Sequence, residues 1–359
     1  MNLFTDFVSL DIGSHSLKLL SLSPAPGAHG YVIDDYVYEV LPPGLIGGGF
    51  TNPIILSMGD FAKIIKIQVS KISSMKEGLI VGLPDRWVKI QLLDLTLKPN
   101  EFGSSEYLSW RLKKMFAPPG VGDLLVDYQI LSLSETPEGI KCWIMVGLVQ
   151  RNIVEVISSL FAGMKIELMA FDTSSLGVYN LLEDAYPDRS LDRQLVICHI
   201  GHETTVVKMF DHGLLRYERI IEVAGETFGA NFSHFLDIPF EQAQIQKCHQ
   251  NFFPVEREEI LNHIQDRNLF ERVFGNWLRE LHVTFKFYQD KFKVSRLPRL
   301  YLTGGSSLFE GLPEFLSDYF DTPCERFNPI ADIPSPREHN ANIVAIGPLL
   351  APCVGLLAK

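Results

Sequence analysis

Short apolar runs separated by turn residues fill the first forty positions of the chain. FVSLDIG, SLKLLSL and YVIDDYVYEV have the length and composition of strands, and the Pro/Gly-rich segment SPAPGAHG separates the second from the third. This pattern predicts a meander of three antiparallel strands. Helical spacing of apolar residues then predicts a helix at 59–74, and GLIVGLP predicts a buried strand that ends at Pro84.

The pattern changes between residues 86 and 150. We predict a strand pair around WVKIQLLDL, a helix at SSEYLSWRLKKMF and paired strands at DLLVDYQILSL and IKCWIMVGLV. This order indicates a small inserted α+β subdomain. Helices are predicted next at 151–163 and 173–184, and the polar stretch DAYPDRSLDRQ then marks a boundary.

Beyond that boundary the three-strand meander returns as QLVICHIG, TTVVKMF and LLRYERIIEV, with an Asp-His-Gly turn at 211–213 closing a hairpin. The second half therefore repeats the first. Helices are predicted at 225–237, 240–250 and 256–293. The segment PRLYLTGGSSLFEGLPEFLSDYF then predicts a strand, a Gly-Gly turn and a helix.

The last apolar segment, NIVAIGPLLAPCVGLLA at 342–358, resembles a membrane span in composition only. It is shorter than the roughly 20 residues that a helix needs to cross a bilayer, and it contains Pro348 and Pro352. We predict a buried terminal helix.

The predicted fold class is α/β, with two lobes that each hold a mixed β-sheet and flanking helices. A chain of 359 residues is long enough for more than one core. The expected boundaries are 1–85 and 151–190 for the first lobe core, 86–150 for the inserted subdomain, 191–335 for the second lobe with 240–294 mainly helical, and 336–359 for a C-terminal helix that returns to the first lobe.

Charge and cysteine content exclude several classes of protein. The formal net charge of -11 argues against nucleic-acid binding and against binding to an acidic membrane surface, since both need a surplus of Lys and Arg. The five cysteines are scattered and include no C-x-x-C pair, which fits a reducing cytoplasm. The N-terminus MNLFTDFVSLD has no basic region typical of a signal peptide.

Two hairpin turns, LDIGSHSLK and CHIGHETTV, have the features of paired phosphate loops. Gly13 and Gly201 would let backbone amides point at phosphate oxygens. The predicted side-chain contacts are hydroxyls from Ser14, Thr204 and Thr205, a cation from Lys18, and a magnesium ion held through water by Asp11. Gly304 and Gly305 precede a helix and would let the backbone lie flat against a ligand.

These motifs resemble those of the actin-like ATPase superfamily and, within it, the PilM family of type IV pilus assembly proteins. LDIGSHSLKLL is similar to the first phosphate motif, CHIGHETTVV lies in the place of the second, and LYLTGGSSLFEGL is similar to the adenosine motif. More specific similarities are LPDRWV, AGMKIELMAFDTSSLGVYNLL, GLLRYERII, GETFGANFSHFLDIPFEQAQIQK and the closing VGLLAK. The resemblance covers essentially the whole chain.

The resemblance implies an actin-like ATPase fold with ATP or ADP and magnesium bound between the lobes. It assigns Gly225, Lys247, Gly304, Gly305 and Ser306 to the adenosine and ribose side. It also implies a cytoplasmic adaptor, peripheral at the inner membrane through a partner and not inserted itself. The implied partners are the N-terminal tail of a PilN-like membrane protein, docked beside the inserted subdomain, and other proteins of the pilus assembly platform.

The chain departs from the family pattern in the second loop. His199 stands where the family has aspartate, and His202 where the family has a small residue. Imidazole is a poor ligand for magnesium, so nucleotide binding can persist while hydrolysis is expected to be weak or absent. A metal site at the two histidines is disfavoured, since no further ligand has matching spacing.

Two other segments have plainer interpretations. Asp172 could position a water near the γ-phosphate, but a role as the N-cap of the following helix already explains it. The run PPGLIGGG at 42–49 lacks the Gly-Lys-Ser/Thr ending of a P-loop and is expected to be a flexible connection.

Three other function classes stay open at this point. An active ATPase or small-molecule kinase would need a catalytic base, for which Asp172 is the weak candidate. A division filament protein similar to FtsA would need an amphipathic membrane helix after the fold. A nucleotide-free secretion-platform scaffold is compatible with His199.

Overall fold

A computed structural model describes residues 3–25, 30–73, 77–98, 101, 105–116, 122–185, 194–249, 253, 264–331, 333–334 and 340–358, with backbone alone at 105, 182–185, 245–249, 264–269 and 340–341. Its strands are β1 Phe7–Ile12, β2 Ser16–Pro24, β3 Tyr31–Val40, β4 Ile46–Gly49, β5 Asn52–Ile55, β6 Gly78–Leu83, β7 Val88–Leu97, β8 Leu124–Thr136, β9 Gly139–Gln150, β10 Leu168–Thr173, β11 Gln194–Ile200, β12 Thr205–Asp211, β13 Leu214–Ile221, β14 Arg299–Thr303 and β15 Cys324–Arg326. Its helices are α1 Met58–Val69, α2 Ser105–Phe116, α3 Arg151–Gly163, α4 Ser174–Ala185, α5 Gly225–Leu236, α6 Phe240–His249, α7 Ile264–Phe292, α8 Leu312–Phe320, α9 Asn340–Ala345 and α10 Gly347–Leu356.

The first lobe is built on a five-stranded sheet in the order β10-β6-β1-β2-β3. The predicted meander forms its antiparallel half, while β6 and β10 add parallel to β1. Every residue of β6 is buried, as expected for a parallel strand that is covered on both faces. Helices α1 and α3 pack on one face through residues such as Phe61, Ile65 and Phe161.

The second lobe repeats this arrangement in a sheet of order β13-β12-β11-β14-β15, again with an antiparallel meander and two parallel strands. His212 and Gly213 have φ values of 51° and 72°, which match the two-residue turn that suits a twisted hairpin. Helices α5, α7 and α8 cover the outer face with an aromatic-rich core. The predicted internal repeat is therefore confirmed strand for strand.

The inserted segment forms a separate three-stranded antiparallel sheet, β7-β9-β8, with its own core. Leu97, Leu108 and Leu112 are buried there, so helix α2 contributes to this core. The prediction of a strand pair around WVKIQLLDL was wrong, because these residues form the single strand β7, which pairs with β9 along its length. Trp143 Nε1 donates to the Leu215 carbonyl oxygen at 3.0 Å, which ties the subdomain to the second lobe.

Helices α4 and α10 contact each other between the two sheets. A Cβ atom on Gly177 of α4 would lie 2.8 Å from the carbonyl carbon of Gly355 in α10, so the two backbones are in direct contact. The core around these helices includes Leu20 from the first sheet and Ile197 from the second. The layers are therefore helices, sheet, the α4–α10 pair, sheet and helices.

The apolar C-terminal segment forms two helices, α9 and α10, where one was predicted, and every residue of α10 is buried. Leu3 and Ala358 form an isolated antiparallel bridge beside it. Among the residues described, no helix combines the length and the hydrophobicity needed to cross a membrane.

We expect Gly177→Ala to lower the free energy of unfolding by about 1–3 kcal/mol, as overpacking of a close contact does, despite the higher helix propensity of alanine. The nearest atoms are backbone atoms of Gly355 and Leu356, which cannot rotate away. The measurement is urea denaturation of both proteins. Gly163→Ala, where the new methyl group meets nothing within 4 Å, is the matched control and should lose no stability; equal behaviour of the two variants would contradict the packing argument.

Candidate functional site

A cleft between the two sheets contains a cavity of about 680 Å³, which lies within the range of small-molecule sites. Both predicted loops and the Gly-Gly turn border it. Its polar and glycine lining consists of Asp11, Gly13, Ser14, His15, Ser16, Lys18, Tyr38, Gly47, Gly48, Asp85, Arg86, Ser174, His199, Gly201, His202, Glu203, Thr204, Gly225, Gln244, Gly304, Gly305 and Ser306.

The two loops have the same backbone design. The Gly13 amide donates to the Ser16 carbonyl oxygen at 3.0 Å, and the Gly201 amide donates to the Thr204 carbonyl oxygen at 2.9 Å. Each turn therefore spans four residues, Gly13–Ser16 or Gly201–Thr204, and starts from the central strand of its sheet, β1 or β11.

Strand alternation turns Asp11 and His199 toward the cleft. The residues on either side of each of them pack into the outer cores of the two lobes. Because successive side chains of a strand point to opposite faces, Asp11 and His199 lie on the inner faces. Each stands two residues before the glycine of its loop, so the two positions are equivalent in the repeat.

Asp11 is held in a buried polar network. Its side chain is 2% exposed, Oδ2 lies 2.7 Å from the Lys18 ammonium, and Oδ1 accepts a hydrogen bond from the Ser174 hydroxyl. Burial would lower the pKa of Lys18, but the adjacent Asp11 carboxylate outweighs it, so the pKa is raised. Lys18 therefore stays charged beside the first loop, where its Nζ lies 3.2 Å from the position of a Cβ on Gly13.

His199 occupies the equivalent position of the second lobe as a neutral group. Its Nδ1 lies 3.0 Å from the Thr303 hydroxyl, and its Nε2 lies 3.9 Å from the position of a Cβ on Gly201. Burial lowers the pKa of the imidazole, against the opposing effect of the Asp85 and Asp11 carboxylates. At neutral pH this position therefore lacks the negative charge that an aspartate would place beside the loop.

His15 and His202 join the tips of the two loops. Their ring centroids lie 4.5 Å apart, with 31° between the ring planes. One ring belongs to each lobe, so this contact spans the cleft at the phosphate end of the predicted site. In the sequence, His202 departs from the small residue of the family pattern, whereas no motif singles out His15.

The Gly-Gly turn and the start of α5 pack closely on the second loop. Gly304 has a φ of 86°, and a Cβ there would lie 2.5 Å from the Ile200 carbonyl oxygen. A Cβ on Gly225 would lie 2.7 Å from the Ser306 hydroxyl, which donates to the Gly201 carbonyl oxygen at 3.3 Å. At Gly225 and Gly304 a larger residue would clash with the neighbouring segments, which explains why glycine stands at both positions.

Arg86 connects the lobes and was missed by the sequence analysis. It follows the end of β6 and forms ion pairs across the cleft, with Glu203 at 2.9 Å and Glu222 at 2.7 Å. Asp85 beside it accepts hydrogen bonds from the amide and hydroxyl of Ser175 at 3.2 and 2.6 Å. The sequence signal for Asp85 and Arg86 was their place directly after a buried parallel strand, because ligand sites in α/β sheets lie at the carboxyl ends of such strands.

Thr205 and Asp172 have surroundings that differ from those predicted for them. Thr205 is buried away from the cleft, where its hydroxyl donates to the Val223 carbonyl oxygen at 2.8 Å and accepts from Trp277 Nε1 at 3.0 Å. Lys247 lies in α6, and its side chain is outside the described residues. Asp172 is not the helix cap, because Thr173 Oγ1 accepts the Leu176 amide at 3.2 Å at the start of α4.

The glycine run at 42–49 is not a flexible connection, contrary to the prediction. Residues Ile46–Gly49 form β4, which pairs with β5. The Gly47 carbonyl oxygen accepts a hydrogen bond from Trp87 Nε1 at 2.7 Å. Gly47 and Gly48 also line the cavity, so the run forms part of its wall.

The side chains of the cleft fit magnesium poorly. Both carboxylate oxygens of Asp11 already have protein partners, and a neutral imidazole stands at the equivalent position 199. In the described part of the chain, no group of three or more His, Cys, Asp or Glu side chains is arranged to hold a metal ion. The donor set therefore does not favour the water-mediated magnesium contact predicted at Asp11, since Mg²⁺ prefers oxygen ligands in octahedral geometry.

Comparisons with known proteins agree with this architecture. The family model described as "Type IV pilus assembly protein PilM" matches residues 9–356. A solved PilM-PilN type IV pilus biogenesis complex contains a chain of similar fold, with a TM-score of 0.78, 20% identity and coverage of 98% of this chain and 97% of that one. No curated protein matches the chain.

Two further solved structures share the fold at greater distance. The ethanolamine utilization protein EutJ from Carboxydothermus hydrogenoformans has a TM-score of 0.52 and 14% identity, covering 98% of this chain and 89% of its own. MreB5 of Spiroplasma citri bound to AMPPNP has a TM-score of 0.50 and 12% identity, covering 96% of this chain and 94% of its own. The fold is thus that of the actin-like ATPases.

We expect Lys18→Met to lower the free energy of unfolding by about 3–5 kcal/mol, because it leaves the buried Asp11 carboxylate without its cation. The double variant with Asp11→Asn removes the charge as well and should recover much of this loss. Urea denaturation of the two single variants and the double variant measures the coupling. Additive effects would contradict the role of this ion pair.

Burial raises the pKa of Asp172 to about 6, against the opposing effect of the Thr173 amide hydrogen bond. The folded protein therefore keeps this proton at pH values where the unfolded chain has lost it, and stability falls as pH rises between about 4 and 6. We expect the stability gain of Asp172→Asn over the natural protein to grow across this interval and then stay constant. Denaturation at a series of pH values tests this, and a gain that does not vary with pH would contradict it.

Proposed function

Because the chain belongs to the type IV pilus assembly protein PilM family, we propose that it is a pilus assembly adaptor that binds ATP or ADP between its lobes and the N-terminal tail of a PilN-like membrane protein. The observation that carries this proposal is the match along nearly the whole chain to the fold of a PilM-PilN complex, inserted subdomain included. The adaptor would be cytoplasmic and peripheral at the inner membrane through this partner.

The geometry of the cleft supports nucleotide binding. Its volume suits a nucleotide, and amides and hydroxyls from both loops border the end where phosphates would lie. Gly304 and Gly305 line the other end, where a flat base needs close backbone approach. AMPPNP is bound to the MreB5 neighbour with the same fold.

Weak or absent hydrolysis is the expected consequence of the side chains. Attack on a γ-phosphate needs a residue that orients or deprotonates water. Asp172 does not line the cavity, Asp85 is held by Ser175, and His199 is a neutral ring bound to Thr303. Of the described carboxylates that line the cavity, Asp11, Asp85 and Glu203 each have protein partners, which disfavours the alternatives of an active ATPase or a small-molecule kinase.

The inserted sheet supports the docking of an extended peptide. In the order β7-β9-β8, strands β7 and β8 are the edges, and each pairs only with β9 among the described strands. Strand β7 has contacts with β13 of the second lobe, whereas β8 is the longer edge. A tail that adds to β8 would gain main-chain hydrogen bonds for affinity and side-chain contacts for specificity.

Calorimetry and hydrogen exchange test the two parts of the proposal. We expect saturable binding of ATP and ADP with little phosphate release, and separate binding of a synthetic peptide with the N-terminal sequence of the PilN-like protein from the same organism. Peptide binding should slow amide exchange in β8. If the peptide does not bind, the adaptor function is contradicted. If amide exchange slows only in another strand, docking at β8 is contradicted. Strand β15, at the edge of the second lobe, is the internal control and should exchange at the same rate with and without the peptide.

A further inference from the structure

Three histidines line the phosphate end of the cleft, with His15 on the first loop, His202 on the second and His199 near the end of β11. The contact between the rings of His15 and His202 bridges the two lobes. A polyphosphate between the loops would therefore meet an imidazole from each side. Such a group donates hydrogen bonds to phosphate oxygens, and charge-assisted ones when it is protonated.

The acidic side chains at this end are already engaged within the protein. Asp11, Asp85 and Glu203 line the cavity. Their partners are Lys18 and Ser174 for Asp11, the amide and hydroxyl of Ser175 for Asp85, and Arg86 for Glu203. A hydrated magnesium ion held in this cleft would have to displace or share these partners.

We propose that the cleft binds the phosphates of a nucleotide without a divalent cation, and that His15, His202 and the Lys18 ammonium supply the positive and hydrogen-bonding groups that magnesium would otherwise provide. This inference rests on the proposed nucleotide binding and adds to it the ionic form of the ligand: free ATP or ADP rather than its magnesium complex.

Lys18 is the cation placed to take this role, because its ammonium has three donors and one of them faces the Asp11 carboxylate at 2.7 Å. Its Nζ lies 3.2 Å from the position of a Cβ on Gly13, directly beside the first loop. Arg86 is committed to two carboxylates of the second lobe, Glu203 and Glu222. Magnesium on the phosphates would neutralise the charge to which the ammonium and the imidazoles bind, so the metal complex gains less from these groups than the free nucleotide does.

The test is calorimetric titration of the full chain with ADP, ATP and inorganic tripolyphosphate, each in EDTA and in excess magnesium. We expect the affinity for ATP in EDTA to equal or exceed the affinity in magnesium. Tripolyphosphate should also bind in EDTA, because the proposed contacts reach the phosphates alone. Binding that is tenfold or more tighter in magnesium would overturn the inference while leaving the proposed function intact.

Single substitutions test whether the histidines contribute to nucleotide binding in the absence of magnesium. We expect His15→Ala and His202→Ala each to weaken ADP binding in EDTA by about tenfold, the loss of one charge-assisted hydrogen bond. His282→Ala, on the exposed face of α7, is the control and should bind as the natural protein does. Thermal unfolding checks that the variants are folded, and unchanged affinity in both loop variants would overturn the inference.

His199→Asp provides a second, independent readout. It returns a carboxylate to the position equivalent to Asp11, where it could accept hydrogen bonds from magnesium-bound water. We expect this variant to bind ATP more tightly in magnesium than in EDTA, the reverse of the natural protein. If nothing binds under either condition, the proposed nucleotide function fails together with the inference, and peptide binding is then the remaining activity.

Discussion

The contact between Gly177 and Gly355 is the constraint on which the two-lobed arrangement depends. With no side chain on either residue, α4 and α10 approach until their backbones touch, and the two sheets pack around this pair. The start of α4 then carries Ser174 to Asp11, and the Pro348 carbonyl oxygen at the start of α10 accepts the Gly304 amide at 3.0 Å. The contact between α4 and α10 therefore fixes the positions of residues at both ends of the cleft.

The two halves of the internal repeat share their backbone geometry but differ in the chemistry of their side chains. Both lobes present a central strand, a four-residue turn and a glycine amide at equivalent positions. The side chains differ: the first lobe holds a buried ion pair between Asp11 and Lys18, and the second holds the neutral His199 bound to Thr303. The two equivalent positions therefore share a backbone geometry, but position 11 carries an ion-paired carboxylate and position 199 a neutral imidazole.

Arg86 connects the cleft to the inserted subdomain. It lies in the short helical turn Asp85–Trp87, which leads directly into β7, and its ion pairs reach Glu203 and Glu222 of the second lobe. Trp143, on the central strand of the subdomain, contacts Leu215 of the same lobe. A change in the distance between the lobes would therefore act on the subdomain at both contacts, and the proposed nucleotide binding would have a physical route to the proposed docking edge.

The sequence by itself determined the strands, the repeat and the places of the glycines, because these follow from the period of apolar residues and from backbone conformations that a short segment dictates. The same alternation would have placed Thr205 on the outer face with Val207 and Met209, where it lies. Only the tertiary structure decided which side chains meet across the cleft. His15 with His202, Arg86 with Glu203 and Ser174 with Asp11 are separated by more than one hundred residues. No local pattern specifies contacts that arise when two separate sheets pack on a shared pair of helices.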